Sequence, residues 1–239
     1  MSRPEPATET RAPLSRERVL ETAVTLADRH GIEWLSMRKL ADELGVGVMS
    51  LYYYVPNKDE LITAMVDFVF SEIALAPIET DGKTAMRQRA RSTRDVLNRH
   101  RWAIGLMESQ EMPGPASIRL HDAVLGCLRE AGFSIEQTVQ SYSVIDAYIY
   151  GFALQEKSVP FDTAEGAAAV AEEQARAFES NRELGALAAG FPYLAEVVSG
   201  HVAKVGYDFG HAFEYGLDLI LDALEARRES ARARRLPLA

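Results

Sequence analysis

The chain has little cysteine, no long apolar run and no metal-binding spacing, and each absence excludes a class of protein. Its 239 residues include one cysteine, Cys127, which excludes a disulfide framework and a cysteine-based structural metal site. Cys127 stands among Val124, Leu125 and Leu128, where we expect a buried structural thiol. The five histidines show no metal-ligand spacing, so we expect neither a metal nor a cofactor.

No apolar stretch approaches the ~18–20 residues that a membrane span needs. Residues 1–14 are polar and proline-rich and lack the apolar core of a secretory signal. We therefore expect a cytoplasmic protein that makes no membrane contact, with residues 1–14 as a flexible arm.

The charge balance is acidic, with a net charge of −9 at pH 7. This argues against nucleic-acid binding over the whole surface, because phosphates attract basic surfaces. Acidic groups far from a duplex are nevertheless screened within ~8–10 Å at cellular salt. A DNA contact therefore has to be local and geometric.

Motifs for catalysis are missing. There is no Gly-x-Ser-x-Gly elbow and no HExxH sequence. The segment from Gly45 to Gly47 weakly resembles a phosphate-binding loop, but it follows a helix and the third glycine is replaced by Ser50. We therefore do not expect an enzyme.

The pattern along the chain is helical throughout. No alternation of apolar and polar residues is long enough for a sheet, and no repeat recurs at a fixed period. Ser15, Ser36 and Ser134 are expected N-caps, and glycines are expected to end helices. Helices are predicted at about 16–30, 36–44, 48–54, 58–76, 84–101, 115–131, 134–157, 164–181 and 202–228. The predicted fold class is all-α.

The segment from Ser36 to Lys58 is the most informative part of the sequence. It predicts two short helices joined by a turn at Gly45, the second followed by three consecutive tyrosines. A helix-turn-helix presents its second helix to the DNA major groove while the first crosses the backbone. The segment therefore predicts a transcription regulator.

Three runs carry a resemblance to a known family. They are His30-Gly-Ile, Ser36-Met-Arg-Lys-Leu-Ala-Asp-Glu-Leu-Gly-Val and Leu51-Tyr-Tyr-Tyr-Val-Pro-Asn-Lys. Together they make residues 15–62 resemble the DNA-binding head of the TetR family of repressors. Stretches beginning at Ala131, Tyr150 and Phe209 are similar, less specifically, to the C-terminal domain of the tetracycline-repressor type.

The resemblance implies an N-terminal three-helix helix-turn-helix head and a C-terminal helical domain for ligand binding and dimerisation. We place these domains at residues 15–75 and 83–228, with a basic tail at 229–239. The implied function is a repressor that binds a palindromic operator on double-stranded DNA as a homodimer. A small-molecule effector then releases it. The alternatives are a TetR-like activator and a protein-interaction module without operator binding.

By the same resemblance, Arg38 reaches a base edge, where bidentate hydrogen bonds to guanine are favoured. A solvated surface arginine is the alternative. Val48, Met49 and Ser50 begin the recognition helix, the end that usually meets bases. Val48 suits a thymine methyl group, and Ser50 suits a phosphate unless it only caps the helix.

Tyr52, Tyr53 and Tyr54 cannot all point inward, because a helix turns by ~100° per residue. At least two should be exposed and contact phosphates through their hydroxyl groups. Lys58, at the start of the next helix, adds a cation where backbone N–H groups already favour phosphate. An ordinary exposed lysine is the alternative.

The ligand is expected to contact apolar residues of the C-terminal domain. The expected set is Trp102, Leu106, Met107, Met112, Phe133 and Tyr142, although core packing explains most of them equally well. Asp146 shares a helical stripe with Tyr142, where it either bonds tyrosine hydroxyls across a dimer seam or orients a ligand donor.

In tetracycline-binding members of the family, a histidine binds the magnesium that accompanies the drug. Aligned through His100, that position falls on Met107. A magnesium–tetracycline effector is therefore not expected, and a largely apolar organic effector is.

The last helix carries apolar residues at near-heptad spacing, with glycines that permit close approach, which predicts pairing with a symmetry mate. These residues are Val205, Phe209, Phe213, Leu217, Ile220 and Leu224, with Gly206 and Gly210.

Overall fold

The structure is a computed structural model that describes residues 13–75, 80–107, 112–159, 166, 168–170, 172–173, 176, 190–197, 200 and 208–235. These residues form helices joined by turns, and no strand occurs among them, which confirms the all-α prediction. None of the described helices is both long and apolar enough to cross a membrane. The predicted arm at 1–12 and most of the predicted helix at 164–181 lie outside the described residues.

Ten α-helices among the described residues are labelled in chain order. They are α1 Arg16–His30, α2 Met37–Leu44, α3 Val48–Tyr52, α4 Lys58–Ser71, α5 Gly82–Arg99, α6 Ile104–Met107, α7 Pro115–Glu130, α8 Ile135–Ser158, α9 Pro192–Val197 and α10 Phe209–Arg235. A 3-10 helix, Ile32–Trp34, joins α1 to α2.

The described residues fall into two compact units. The first unit lies within residues 1–73 and 99–120, and the second within 74–98 and 121–239. The described residues of 99–120 thus cluster with the N-terminal helices.

Polar side chains cap the helix N-termini, as the sequence predicts. The side chains of Ser15, Ser36 and Asn57 accept hydrogen bonds of 3.2, 3.3 and 2.8 Å from backbone N–H groups three residues ahead. Ser134 forms a reciprocal capping box with Gln137 at the start of α8. Each cap satisfies a backbone donor that has no partner within its helix.

The core of the first unit is built from the inner faces of α1 to α4. Its fully buried apolar residues include Val19, Ala23, Leu40, Ala41, Leu51, Leu61 and Met65. Leu51 is the buried residue of α3, so that helix is anchored by one side chain while most of its surface remains available. The predicted third helix at 48–54 is shorter than expected and ends at Tyr52.

Aromatic residues hold α8 against α10 in the second unit. The Phe213 ring lies 5.4 Å from that of Tyr148 and 5.1 Å from that of Phe152. The Tyr148 hydroxyl donates to the Phe213 carbonyl oxygen at 2.9 Å. A Cβ at Gly216 would collide with the Tyr148 hydroxyl, so glycine is required for this close approach.

This packing corrects the predicted dimer seam on the last helix. Phe213 and Leu217 are fully buried inside their own chain, and Ile220 and Leu224 are half-buried. The exposed large apolar side chains of α10 are instead Tyr215 and Leu219. Val205 and Gly206 lie outside the described residues.

The C-terminal end of α10 also differs from the prediction. The helix continues past Arg228 to Arg235, so the first part of the predicted basic tail is helical. Residues 236–239 lie outside the described residues.

Ion pairs run along the contact between α5 and α10. Lys83 pairs with Asp222 and, at 3.6 Å, with Glu225, while Arg87 pairs with Asp218 and Arg91 with Glu214. The three cations of α5 are four positions apart, as are Asp222, Asp218 and Glu214, whose order is reversed because the helices are antiparallel. All of these pairs are partly exposed, and such pairs add little stability individually.

Candidate nucleic-acid interface and cavity

The turn between α2 and α3 depends on a left-handed glycine. Gly45 has φ 67° and ψ 39°, a conformation that glycine adopts without the steric cost borne by other residues. The next backbone N–H, of Val46, donates to the Ala41 carbonyl oxygen at 3.0 Å. This closes α2 and sets the direction in which α3 leaves it.

Six of the predicted DNA-contacting residues lie on α2 and on or directly after α3. Met49 and Tyr53 are 80% and 87% exposed, and Tyr52 is 41% exposed. The six residues, each exposed or half-buried, are Arg38, Val48, Met49, Ser50, Tyr52 and Tyr53. The expectation that at least two tyrosines face solvent is confirmed.

Tyr54 differs from the two tyrosines before it. It is half-buried, and its hydroxyl donates to the Leu14 carbonyl oxygen at 2.8 Å. Its ring meets the Tyr53 ring edge-to-face, with 5.1 Å between centroids. The predicted phosphate contact of Tyr54 is therefore corrected, because its only hydroxyl proton already ties α3 to the start of α1.

Lys58 is the first residue of α4 and is half-buried. The side chain of Asn57 already caps this helix, and Asp59 and Glu60 lie in the same first turn. The two acids offset the charge of Lys58. An approaching phosphate would therefore meet a weaker positive field than the helix N-terminus alone suggests.

Trp34, at the end of the 3-10 helix, lies at the surface of the first unit. It is 37% exposed and lies between the His30 ring, stacked at 4.3 Å, and the Lys39 ammonium, 3.8 Å from its ring centroid. Lys39 also donates to the Trp34 carbonyl oxygen at 3.0 Å. This contact holds Lys39 against the 3-10 helix, next to the exposed Arg38.

A polar cluster joins three segments of the first unit. His100 is buried, with Nδ1 2.8 Å from an oxygen of Asp28 on α1 and Nε2 3.1 Å from one of Glu72, just after α4. The His100 ring thus bridges an acidic side chain of α1 and one that directly follows α4. Trp102 Nε1 donates to Asp28 at 2.7 Å, and Arg99 donates to Glu72 at 2.6 Å.

The charge state of Glu72 follows from this cluster. Its burial raises the pKa, but hydrogen bonds and charges from Arg99 and His100 outweigh burial and leave the pKa below its ordinary value. Glu72 is therefore an ionised acceptor at neutral pH. The cluster could not be predicted from local sequence, because Asp28 and Glu72 are far along the chain from His100.

The predicted ligand-contacting residues do not form one group. Trp102, Leu106, Met107 and Met112 belong to the first unit. Trp102 and Met107 are buried, Leu106 is half-buried and Met112 is 76% exposed. The indole N–H of Trp102 donates to Asp28, so only its ring is left to contact a ligand. Phe133, Tyr142 and Asp146 belong to the second unit.

A cavity of about 870 Å³ lies within the second unit. Apolar residues from α5, α7, α8 and α10 line much of it, together with Phe133: Met86, Val124, Leu128, Ile145 and Leu221. Cys127 also lines it and is half-buried, and burial raises the pKa of its thiol. The single cysteine thus faces this cavity rather than filling a closed core.

Arg89 is the cavity residue that the sequence analysis missed. Its side chain on α5 is 2% exposed, and Nη1 lies 2.5 Å from Oδ1 of Asp146. Its guanidinium carbon is 5.8 Å from the centre of the Tyr142 ring. Burial, together with the charge and hydrogen bond of Asp146, raises the pKa of Tyr142. Asp146 is therefore paired inside its own chain, and its neighbour Tyr142 keeps its proton at neutral pH.

The described part of the chain contains no evident metal-binding site. No three His, Cys, Asp or Glu side chains there are grouped to hold an ion.

Two family models match the chain. One, described as bacterial regulatory proteins of the tetR family, matches residues 19–65. The other, described as the tetracyclin repressor-like C-terminal domain, matches residues 77–228. The chain belongs to the TetR family. It is therefore a DNA-binding transcription regulator of the helix-turn-helix type and not an enzyme.

Individual relatives agree with this membership. The chain is 33% identical over 228 residues to the HTH-type transcriptional repressor DrrR1 of Streptomyces coeruleorubidus, covering 89% of this chain and 77% of that protein. It is 29% identical over 213 residues to the class A tetracycline repressor of Escherichia coli, covering 88% and 90%.

Solved structures give the same result. Apo ActR from Streptomyces coelicolor matches with a TM-score of 0.71 and 26% identity, over 92% of this chain and 99% of that one. ActR in complex with actinorhodin matches with a TM-score of 0.69 and 27% identity, over 91% and 99%.

Proposed function

We propose that this TetR-family regulator binds a palindromic operator as a homodimer, represses from it in the cytoplasm, and is released by a small organic effector. The observation that carries the proposal is the exposed face of α3 beside the Gly45 turn. A helix anchored by Leu51 alone, with Met49, Ser50 and Tyr53 directed to solvent, is suited to enter a major groove.

The proposed contacts divide by chemistry. Arg38 is exposed and suits the acceptor pair of a guanine, and Val48 suits a thymine methyl group. Ser50, Tyr52 and Tyr53 have exposed hydroxyl-bearing side chains that suit phosphate oxygens, which position a protein without reading sequence. Lys58 joins this second group.

A homodimer is supported by apolar faces on α8 and α10. On α8 the exposed residues Val144, Ala147, Gly151 and Leu154 recur at spacings of three and four, which puts them on one side of the helix. On α10 the exposed Tyr215 and Leu219 are one turn apart. Apolar residues grouped in this way on two long helices favour pairing with a second copy.

Effector release is supported by the cavity and by the chain that follows α5. Arg89 lies on α5, and α5 ends at Arg99, directly before the His100 cluster that fixes Asp28 and Glu72. A ligand that moves α5 would pull on this cluster through the backbone. Asp28 belongs to α1, so its displacement would alter the helices that carry the DNA-contacting surface. The complex of ActR with actinorhodin supports a small-molecule effector by analogy.

The test is a fluorescence-anisotropy titration of the purified protein against labelled duplexes from the DNA upstream of its own gene. The proposal predicts saturable binding to one palindromic duplex and at least tenfold weaker binding to a scrambled version. Sedimentation of the complex should give two chains per duplex. Binding to no duplex would favour a protein-interaction module, whereas specific binding that raises transcription in vitro would indicate an activator.

A further inference from the structure

Arg89, which lines the cavity, has a buried hydrogen-bond donor without an acceptor. Its side chain is 2% exposed, and Nε is buried with no hydrogen-bond partner among the described residues, whereas Nη1 is in ion-pair contact with Asp146. A guanidinium carries five N–H donors and no acceptor. Burying such donors unpaired costs free energy, so an acceptor brought in by a ligand would be stabilised there.

The charge of Arg89 is already balanced. Oδ1 of Asp146 lies 2.5 Å from Nη1, within ion-pair distance, although the two atoms do not have the angles of a hydrogen bond. A ligand anion would therefore leave one negative charge uncompensated in a buried site, which is unfavourable. Tyr142, beside the pair, keeps its proton and adds no charge. The Arg89 guanidinium therefore already has a counter-charge and lacks only a further hydrogen-bond acceptor.

The rest of the cavity agrees with a neutral ligand. Its volume of about 870 Å³ is within the range of about 300–1,000 Å³ for small-molecule sites. Apart from Arg89, the cavity is lined by two basic residues, Lys83 and Arg228. Four acidic residues line it: Asp81, Asp122, Glu130 and Glu225. An anion would be repelled on balance, and the apolar lining favours an apolar body.

We propose that the effector of this regulator, whose existence rests on the proposed function, is a largely apolar neutral molecule that presents a carbonyl oxygen to Arg89. Met86, Val124 and Phe133 would contact its apolar faces. The Arg89 guanidinium donates to the carbonyl and thereby fixes the orientation of the molecule. Asp146 is a positioning residue that holds Arg89 in place.

The proposal can be tested with three compounds that share one tricyclic body: 9-fluorenone, fluorene and fluorene-9-carboxylate. Their dissociation constants for the full-length protein are measured by equilibrium dialysis without DNA. The ketone should bind roughly tenfold or more tightly than either of the others, because a hydrogen bond to a charged donor is worth about that factor. The location is checked by alkylation of Cys127, which lines the cavity, since bound ketone should slow the reaction.

Two variants separate the role of Arg89 from general damage to the fold. Arg89→Met together with Asp146→Leu removes both charges, a change that buried pairs often tolerate. It should abolish the preference for fluorenone and leave fluorene binding within twofold. Arg91→Met removes a cation from the exposed face of the same helix and should leave all three constants unchanged.

Several results would overturn the proposal. They are equal affinity for ketone and hydrocarbon, tighter binding of the carboxylate, no binding of any of the three, or a ketone preference that survives in the double variant. None of them bears on operator binding, because DNA is absent from the assay. Conversely, failure to bind any duplex leaves the ligand result intact.

Discussion

Replacing Tyr52, Tyr53 and Tyr54 by phenylalanine, one at a time, separates DNA contact from structural support. Each substitution removes one hydroxyl group and keeps the ring. The Tyr54 hydroxyl donates to the Leu14 carbonyl oxygen at 2.8 Å, whereas the Tyr53 side chain is 87% exposed. The same chemical change should therefore lower stability at one position and DNA affinity at the neighbouring one.

The magnitudes follow from the contact that is lost. Tyr54→Phe removes one partly buried hydrogen bond, with a net value of about 0.5–1.5 kcal/mol. For a chain of this size, about 1 kcal/mol corresponds to a melting-temperature change of roughly 2–4 °C. Operator affinity should stay within twofold. Tyr53→Phe should leave the melting temperature unchanged and weaken operator binding roughly five- to tenfold, the equivalent of about 1–1.5 kcal/mol. Tyr52→Phe should behave like Tyr53→Phe.

Thermal unfolding followed by circular dichroism without DNA gives the stability of each variant. Fluorescence anisotropy on the operator gives its affinity. The division of roles is wrong if Tyr54→Phe weakens operator binding as much as Tyr53→Phe does while leaving the melting temperature unchanged. It is equally wrong if Tyr53→Phe destabilises the protein.

Three further predictions concern other parts of the molecule. Arg38→Ala should relax specificity at one base pair and reduce the free energy of operator binding by roughly 1–3 kcal/mol. Lys58→Ala should instead weaken binding to all sequences and flatten its salt dependence. Titration on operator and scrambled DNA distinguishes the two variants, and identical binding curves would contradict the assignment. The pKa of Glu72 lies below its ordinary value of 4.5, so its stabilising contribution is present above pH 4.5 and is lost as the pH falls through its folded pKa. Urea denaturation should therefore show Glu72→Gln to be less stable than the wild type at neutral pH, with a gap that narrows in acid; a gap independent of pH would count against it. Leu217→Ala should lower the free energy of unfolding by about 2–5 kcal/mol, because the Leu217 side chain is fully buried. Leu219 is 56% exposed, so Leu219→Ala should retain stability and weaken self-association in sedimentation. Loss of stability in both variants would contradict the assignment.

The features that could be predicted from the sequence are those fixed within a few residues. Ser15, Ser36 and Ser134 cap their helices as predicted, because a capping side chain bonds to a backbone N–H three positions ahead. Gly45 ends α2 in a left-handed conformation, which few other residues adopt. The helix-turn-helix and the family could therefore be recognised from residues 15–62 alone.

The features that escaped prediction depend on distant residues. Tyr54 finds its acceptor at Leu14, forty positions away, and no local pattern reveals such a contact. Arg89 reads as one more cation on a basic helix until folding places Asp146 beside it. Phe213 and Leu217 have the spacing of a dimer seam, but spacing shows only that they share a face. Which partner covers that face is decided by the packing of α8.

The evenly spaced ion pairs between α5 and α10 restrict how these two helices can slide. On each helix the charges recur every four residues, close to one helical turn. A displacement of one full turn would bring two of the three couples back into register, whereas half a turn would leave all six groups mismatched. These ion pairs therefore disfavour a shift of α5 by a fraction of a turn more than a shift by a whole turn.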